Sequence, residues 1–393
     1  MDNPALTIGL AMALGMISQV TARHIRLPGI VVLLGAGFLF GPDGLNWVRT
    51  GSLGPSLHII VGFAVAVILF EGGMNLRFSR IKREQNTIQG LITLGAFITF
   101  LGGTLASLFF LGWDLRTSIL FGTIIIVTGP TVISPLLKRV RIHHGVSTVL
   151  EAEGILLDAI GAIVAVVALE IAISPSGLSF IKGLFHIVSR LAVGATLGLI
   201  GGGVLMLLFR IRKLIPEGLE NVFILSWVFA LFQISNTVSP ESGIAAVTVA
   251  GMTLGNSKIY IHRELLEFKE QLTVLMIGML FIILAADVRI SDIQLLGWQG
   301  VWTVLFLMFI IRPLSVFLST GKTDLERRHK LLLSWIAPRG IVAAAVASLF
   351  AFELNLHGYD GSQLRALVFL LIIMTVLAAG LTGGWVASIL DLR

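Results

Sequence analysis

One aspartate lies deep inside an apolar stretch of the chain, where a charged side chain is costly and a functional role is the first hypothesis. Asp158 comes about 12 residues into the apolar run 146–172, or about 18 Å along a helix, near the centre of an about 30 Å hydrocarbon layer. A carboxylate held there takes up a proton or a cation but not both, so competition for it amounts to an exchange mechanism. The structural alternative is a buried acid that is only hydrogen-bonded or ion-paired.

Two breaks interrupt apolar runs at membrane depth. Thr128-Gly129-Pro130 interrupts the run 117–137, at about the depth of Asp158, so that Thr128 and the aspartate could share one ion. Ala337-Pro338-Arg339-Gly340 interrupts the run 331–352. Proline and glycine leave carbonyls and amides that only protein or a wet cavity can satisfy, although either break alone is also explained by a simple kink.

Three further charges lie inside apolar runs. Glu153 and Arg312 are each about seven residues from one end of their runs, and this equal depth of about 11 Å permits a salt bridge. We expect a structural pair that orients the helix of Asp158, with direct ion contact as the alternative. Arg339, at the second break, would offset the dipole ends of the half-helices or pair with an acid.

Two glutamates point to a cytoplasmic funnel. Glu151 precedes Asp158 by two helical turns on about the same face, and Glu71 follows an apolar run near its predicted cytoplasmic end. We therefore expect these two carboxylates to line the route by which a cation approaches from the cytoplasm.

The composition requires a membrane environment for these residues. The 393 residues are 56% hydrophobic and 13% charged, against roughly 25% charged residues in soluble domains, and the mean hydropathy is +0.95. The absence of cysteine excludes disulfides and thiolate metal sites. We expect no cofactor and no nucleic-acid partner, because the net charge of +6 follows from membrane topology.

The apolar runs predict thirteen transmembrane helices. Their approximate bounds are 5–22, 28–41, 57–76, 88–111, 117–137, 146–172, 181–209, 219–236, 241–255, 270–287, 292–319, 331–352 and 363–389. Loops that are odd in chain order hold 19 lysines and arginines, whereas even loops hold five. Positive loops stay in the cytoplasm. This distribution predicts a multi-pass protein of the cell (inner) membrane with an outside N-terminus and a cytoplasmic C-terminus.

The breaks fall at matching places in the two halves of the chain. If spans 1–6 and 8–13 form two halves, each break lies in the fifth span of its half, and the halves have opposite orientations. Interrupted helices that cross near the midplane are typical of transporters built from inverted repeats. The predicted fold is therefore an all-α polytopic membrane protein with inverted repeats and crossed, interrupted helices 5 and 12.

Several motifs along nearly the whole chain resemble one family. They are Leu27-Pro28, Gly41-Pro42, Leu69-Phe70-Glu71-Gly72-Gly73, Thr128-x-Pro130, EAEGILLDAIG over 151–161, Arg312-Pro313 and Arg339-Gly340. Together they resemble the monovalent cation:proton antiporters, and within them the bacterial sodium/proton exchangers of the NhaP type.

The resemblance implies a homodimer in which spans 4–6 and 11–13 form a moving transport core. Its two parts would be residues 85–173 and 291–393, and the dimerisation domain would comprise residues 1–84 and 174–290. Asp158 would carry the ion, with Na⁺ or K⁺ bound at its carboxylate. In the family, a glutamate five residues before the aspartate pairs with an arginine of the eleventh span. The residues at these positions here are Glu153 and Arg312.

Three departures from the family pattern surround the aspartate. The family usually has Asn before it, where this chain has Leu157, and Asp in the first break, where this chain has Gly129; Gly154 replaces a usual serine. Asp158, the Thr128 hydroxyl, freed carbonyls and water are the remaining ligands. The resemblance favours Na⁺, but fewer fixed oxygens also suit K⁺.

The combined prediction is secondary active, non-enzymatic antiport of a monovalent cation and H⁺. A single central acid that holds either ion, while Arg312 stays charged, predicts electroneutral exchange by alternating access. The alternative is a cation channel, or the membrane module of a ligand-gated K⁺ efflux system controlled by a soluble domain. In either case, a cytosolic regulatory domain beyond Arg393 is an additional expectation.

Overall fold

The structure, a computed structural model, describes residues 3–25, 27–54, 56–129, 133, 137, 144–173, 179–211, 214–216, 218–257, 263–323 and 325–392. Helices dominate these residues, and none of them forms a β-strand. This outcome confirms the predicted all-α class.

Eighteen α-helices are numbered here in chain order among the described segments. They are α1 (Pro4–His24), α2 (Gly29–Phe40), α3 (Ser56–Asn75), α4 (Phe78–Arg83), α5 (Gln85–Gly90), α6 (Ala96–Leu111), α7 (Leu115–Ile124), α8 (His144–Ile173), α9 (Ser179–Arg210), α10 (Glu220–Val238), α11 (Ser242–Gly255), α12 (Arg263–Ala286), α13 (Ile290–Leu295), α14 (Gly297–Phe306), α15 (Arg312–Ser319), α16 (Arg327–Trp335), α17 (Ile341–Leu356) and α18 (Ser362–Ile389).

Each predicted span contains an apolar helix in the described part of the chain. Seven helices are long and apolar enough to cross a membrane, counting α5–α6 and α14–α15 as one helix each, and six shorter apolar helices accompany them. The protein is therefore a multi-pass membrane protein. The number of helices that cross the bilayer remains a prediction.

Local sequence fixes where several helices begin and end. The Asn3 side chain accepts hydrogen bonds from the first amides of α1, and Asp114 does the same for α7. Gly112, with φ of 65°, ends α6 in a left-handed conformation that glycine adopts without a steric penalty. These caps satisfy backbone groups that hydrocarbon could not.

The helices pack as two sets. Helices α1–α3 and α9–α12 contact mainly one another, with α11 lying between α3 and α9. Small residues permit this close approach, since a Cβ on Gly251 would lie 2.2 Å from the Phe70 carbonyl oxygen. Helices α6–α8 and α14–α18 form the second set. The assignment of dimerisation and transport roles to the two sets remains a prediction.

Two π-helical turns occur in the second set. They cover Leu91–Gly95, which joins α5 to α6, and Leu307–Ile311, which joins α14 to α15. The Ser315 hydroxyl donates to the Gly95 carbonyl at 3.0 Å, so the two helices are tied together beside these turns. π-Turns are frequent at functional sites, and the second one immediately precedes Arg312.

An ion pair joins two loops on the predicted outer face. Asp43 accepts from Arg289 at 2.8 Å and from the Ile290 amide at 2.6 Å. Partial desolvation opposes ionisation of Asp43, but the Ile290 and Arg289 hydrogen bonds and the Arg289 charge outweigh it, so the pKa of Asp43 lies below its usual value. The loop that follows α2 is thereby fixed to the start of α13.

Candidate functional site

The two breaks meet in the second set of helices. Helix α7 ends at Ile124 and α16 ends at Trp335, and irregular backbone follows each of them. The Gly129 amide donates to the Pro338 carbonyl at 3.3 Å. A Cβ built on Gly129 would lie 2.2 Å from the Gly340 Cα, so the backbones touch where neither residue has a side chain. Pro130 lies outside the described residues.

Adding one methyl group at this crossing should be severely destabilising. Gly340→Ala places a Cβ 2.3 Å from the Gly129 Cα, and overpacking against a backbone that cannot move aside costs at least about 1–3 kcal/mol. We expect a lower unfolding temperature of the purified protein and a loss of transport. Gly203→Ala, on α9, is the matched control because nothing lies within 4 Å of its Cβ position. Equal effects of the two variants would contradict the close approach.

Asp158 lies on α8 beside this crossing. The residue is 1% exposed, and no donor in the described part of the chain hydrogen-bonds to either carboxylate oxygen. One turn further along α8, a Cβ on Gly161 would lie 3.2 Å from the Val127 amide nitrogen, so α8 contacts the first break directly. A buried carboxylate without a protein donor is costly, and it calls for a proton or a cation.

Thr128 places a second unsatisfied oxygen in the same break. It is 3% exposed, and its hydroxyl has no hydrogen-bond partner among the residues that the structure describes. The backbone from Val127 to Gly129 is not helical, which frees its carbonyls from the helix ladder. Carboxylate, hydroxyl and carbonyl oxygens are the ligand types that hard cations prefer.

Arg339 supplies positive charge at the crossing without an ion pair. It is 7% exposed, its side chain donates to the Val127 carbonyl at 3.4 Å, and its backbone amide donates to the Thr375 hydroxyl at 3.3 Å. No carboxylate within the described segments lies within ion-pair distance of it, although it is in electrostatic reach of Asp158. Arg339 therefore contacts a freed backbone carbonyl of the first break, and its role at the site stays a prediction.

Glu153 and Arg312 form the ion pair expected from their equal depth. Two hydrogen bonds of 2.5 and 3.0 Å join the guanidinium to the carboxylate, and both residues are at least 94% buried. Arg312 also donates to the Leu333 carbonyl at 3.0 Å, which lies in the last turn of α16, where carbonyls lack helical partners. The pair therefore secures α8, α15 and the end of α16 together.

The remaining predicted residues lie around this centre or apart from it. Leu157 is 3% exposed in the core beside Asp158, and Glu151 is half-buried on the same helix. Glu71 lines a cavity of about 30 Å³ with Asn221 and Thr273, between α3, α10 and α12 of the first set. A cytoplasmic funnel formed by Glu71 and Glu151 stays a prediction.

Two further ion pairs among the described residues were not anticipated from the sequence. Arg190 pairs with Glu170 at 2.8 Å and Arg365 pairs with Asp287 at 2.5 Å. Glu170 and Asp287 lie at helix ends, where the sequence alone predicts acids that are exposed to solvent. The available signal was Arg190, an arginine within an apolar run that requires a counter-charge.

Comparison with known proteins points to one family. The family model described as "Sodium/hydrogen exchanger, transmembrane" matches residues 9–389. The K(+)/H(+) antiporter NhaP2 of Shewanella oneidensis is 29% identical over 392 residues, covering 96% of this chain and 65% of that relative. The chain thus spans less than two thirds of the length of this relative.

Two further comparisons cover nearly whole proteins. The Na(+)/H(+) antiporter 1 of Methanocaldococcus jannaschii is 26% identical over 367 residues, which are 88% of this chain and 83% of that relative. The solved structure of the sodium proton antiporter MjNhaP1 from the same organism at pH 8 has a TM-score of 0.86 and 23% identity, covering 98% of this chain and 97% of that one. The structural likeness establishes the shared fold.

Proposed function

Because the chain belongs to the sodium/hydrogen exchanger family, we propose that it is a secondary active antiporter that exchanges a monovalent cation for protons. The observation that carries the proposal is Asp158, whose two buried oxygens receive no hydrogen bond from the described residues beside a broken helix. The names of the relatives, which are K⁺/H⁺ and Na⁺/H⁺ antiporters, support the same activity.

In the proposed mechanism, a proton and a cation compete for Asp158. Glu153 already neutralises Arg312 through two hydrogen bonds, so Arg312 does not serve as the counter-charge of the aspartate. One carboxylate that alternates between one proton and one monovalent cation carries equal charge in both directions. The exchange is therefore one-for-one and electroneutral, and the protein acts as a carrier rather than as an enzyme.

We propose Thr128 and freed carbonyls of the first break as additional cation ligands. Arg339 would interact with backbone of the first break, and Gly129 would allow the two breaks to meet. The absence of polar side chains at Leu157 and Gly129 leaves few fixed oxygens, so water would complete the coordination shell. Na⁺ is the expected cation from the family, and K⁺ is the alternative.

The topology and the assembly form part of the same proposal. The charge distribution of the loops supports an outside N-terminus and a cytoplasmic C-terminus in the cell membrane. The family resemblance supports a homodimer held by α1–α3 and α9–α12, with α6–α8 and α14–α18 as the moving transport core. Control by a cytosolic regulatory domain is a further expectation from the sequence.

Exchange in proteoliposomes tests the proposed function. The purified protein is reconstituted with a pH-sensitive dye inside the vesicles, and Na⁺, Li⁺ or K⁺ is added outside across a pH series. We expect saturable, cation-dependent proton efflux that a pH step drives in both directions, at a rate unaffected by a clamped membrane potential. Cation flux that ignores the proton gradient would contradict antiport and indicate a channel, whereas a potential-dependent rate would contradict only electroneutrality.

A further inference from the structure

A cavity of about 260 Å³ lies between the two sets of helices, near the predicted outer face. Its walls come from α3, α10 and α11 of the first set and from α8 and α17 of the second. Most of the lining is apolar, including Val65, Val166 and Val342. Val166 follows Asp158 by eight residues on α8, or about 12 Å along the helix axis. The cavity therefore extends from Glu241 toward the crossing of the two breaks, since Val342 follows Gly340 by two residues.

Glu241 is the acidic residue among the described residues that line this cavity. It is half-buried, and within the described segments its carboxylate makes no hydrogen bond or ion pair. Gln233 and Asn236 are the polar neighbours on the same wall. A carboxylate enclosed by apolar walls attracts cations more strongly than an exposed one, because low-dielectric surfaces focus its field.

The backbone holds Glu241 in place at some cost. Its φ of 62° lies in the left-handed region, which is uncommon for a residue with a Cβ. Hydrogen bonds on either side fix the turn between α10 and α11, since the Ser242 hydroxyl donates to the Ser235 carbonyl at 2.8 Å and the Gly243 amide donates to the Asn236 side chain at 2.8 Å. Strained positions that the surroundings enforce are concentrated at functional sites.

The basic residue whose charge acts on Glu241 makes its ion pair with another acid. Arg190 lies within electrostatic reach of Glu241, but its guanidinium donates to both oxygens of Glu170 at 2.8 and 3.0 Å. Glu170 therefore binds the guanidinium through Nη2, whereas Glu241 is affected by its charge without contacting it, and Nη1 has no hydrogen-bond partner among the described residues. When all three groups are ionised, the cluster keeps one surplus negative charge, and Glu241 is the member that lines the cavity.

From this arrangement, we propose that Glu241 captures monovalent cations in an outer vestibule of the exchanger and so assists cation entry from that face. The inference rests on the proposed antiport function. Asp158 is not among the residues that line the vestibule, so capture at Glu241 raises the local cation concentration without replacing the transport site. Cation capture by Glu241 should therefore change the apparent affinity for the cation on one face of the membrane only.

Sided transport assays test the vestibule. Right-side-out and everted membrane vesicles containing the full chain are compared, with Na⁺ and K⁺ as the probe cations. Glu241→Gln should raise the apparent KM for the cation on the face that carries Glu241 by about tenfold, which is the low end of the effect of focused charge. The maximal rate and the KM on the opposite face should stay unchanged, and raising the ionic strength should shrink the difference.

Two variants control for misfolding and for charge. Glu241→Asp keeps the carboxylate and should keep the KM close to that of the unmodified protein. Gln233→Glu adds a second carboxylate to the same wall and should lower the one-sided KM. An unchanged KM in Glu241→Gln and Gln233→Glu, or equal changes on both faces, would overturn the inference while leaving antiport intact. Absence of proton-coupled exchange in the unmodified protein would instead overturn the proposed function.

Discussion

Asp158→Asn should reduce cation-driven proton exchange by a factor on the order of 100 to 1,000, because a charge contact at an effective dielectric constant of about 20 is worth about 4 kcal/mol. The amide matches the carboxylate in size but neither titrates nor neutralises a cation. The variant should also fold normally, since no described donor loses a hydrogen-bond partner at this side chain. Dye-monitored exchange in proteoliposomes measures the effect.

Asp158→Glu is the matched variant that keeps the charge. It should retain part of the exchange activity, because the carboxylate persists although its oxygens move by about the length of one methylene group. Thermal unfolding of both variants separates a loss of transport from a loss of folding. Full exchange by Asp158→Asn would exclude this carboxylate as the shared binding group and leave the proposed mechanism without a carrier.

Arg312→Met should lower the free energy of unfolding by about 3–5 kcal/mol, because removing one partner leaves the buried Glu153 charge uncompensated. Glu153 is 2% exposed, so water cannot replace the lost hydrogen bonds. The Leu333 carbonyl at the end of α16 loses its donor as well. Equilibrium unfolding in detergent, followed by tryptophan fluorescence, provides the measurement.

A double variant distinguishes charge imbalance from lost packing. Glu153→Leu combined with Arg312→Met removes both charges, and apolar replacement of a buried pair is often close to neutral for stability. We therefore expect the double variant to recover most of the stability lost in Arg312→Met. Arg328→Met is the surface control, because its pair with Glu326 is half-exposed and such pairs contribute about 0–1 kcal/mol. A double variant as unstable as the single one would contradict the electrostatic explanation.

The sequence alone points to Asp158 as a candidate ion site, because a charged side chain buried in hydrocarbon has few structural explanations. Asp158 was identified from its depth alone, and equal depth identified the Glu153–Arg312 pair that the structure contains. The all-helical fold followed from the apolar runs, and the family match agrees with the motifs that the chain resembles. The inferences about Asp158, Glu153 and Arg312 needed only distances along single helices.

Features that depend on contacts between distant segments were not predictable. Gly129 and Gly340 are more than 200 positions apart, and nothing local in either segment specifies that their backbones touch. The π-turn before Arg312 lies in an ordinary apolar run, so composition gave no sign of it. Predicting a surplus negative charge near Glu241 requires knowing that Arg190 binds Glu170. Only the packing of α8 against α9 shows this pair.

The contact between Gly129 and Gly340 has a consequence for genetics. In most packed pairs, a larger residue on one side can be rescued by a smaller one on the other. Here both partners already have the smallest side chain, and a Cβ on either would meet the opposite backbone at 2.2–2.3 Å. Second-site suppressors of a substitution at either glycine should therefore arise elsewhere, in residues that let one broken segment shift, and never at the partner glycine.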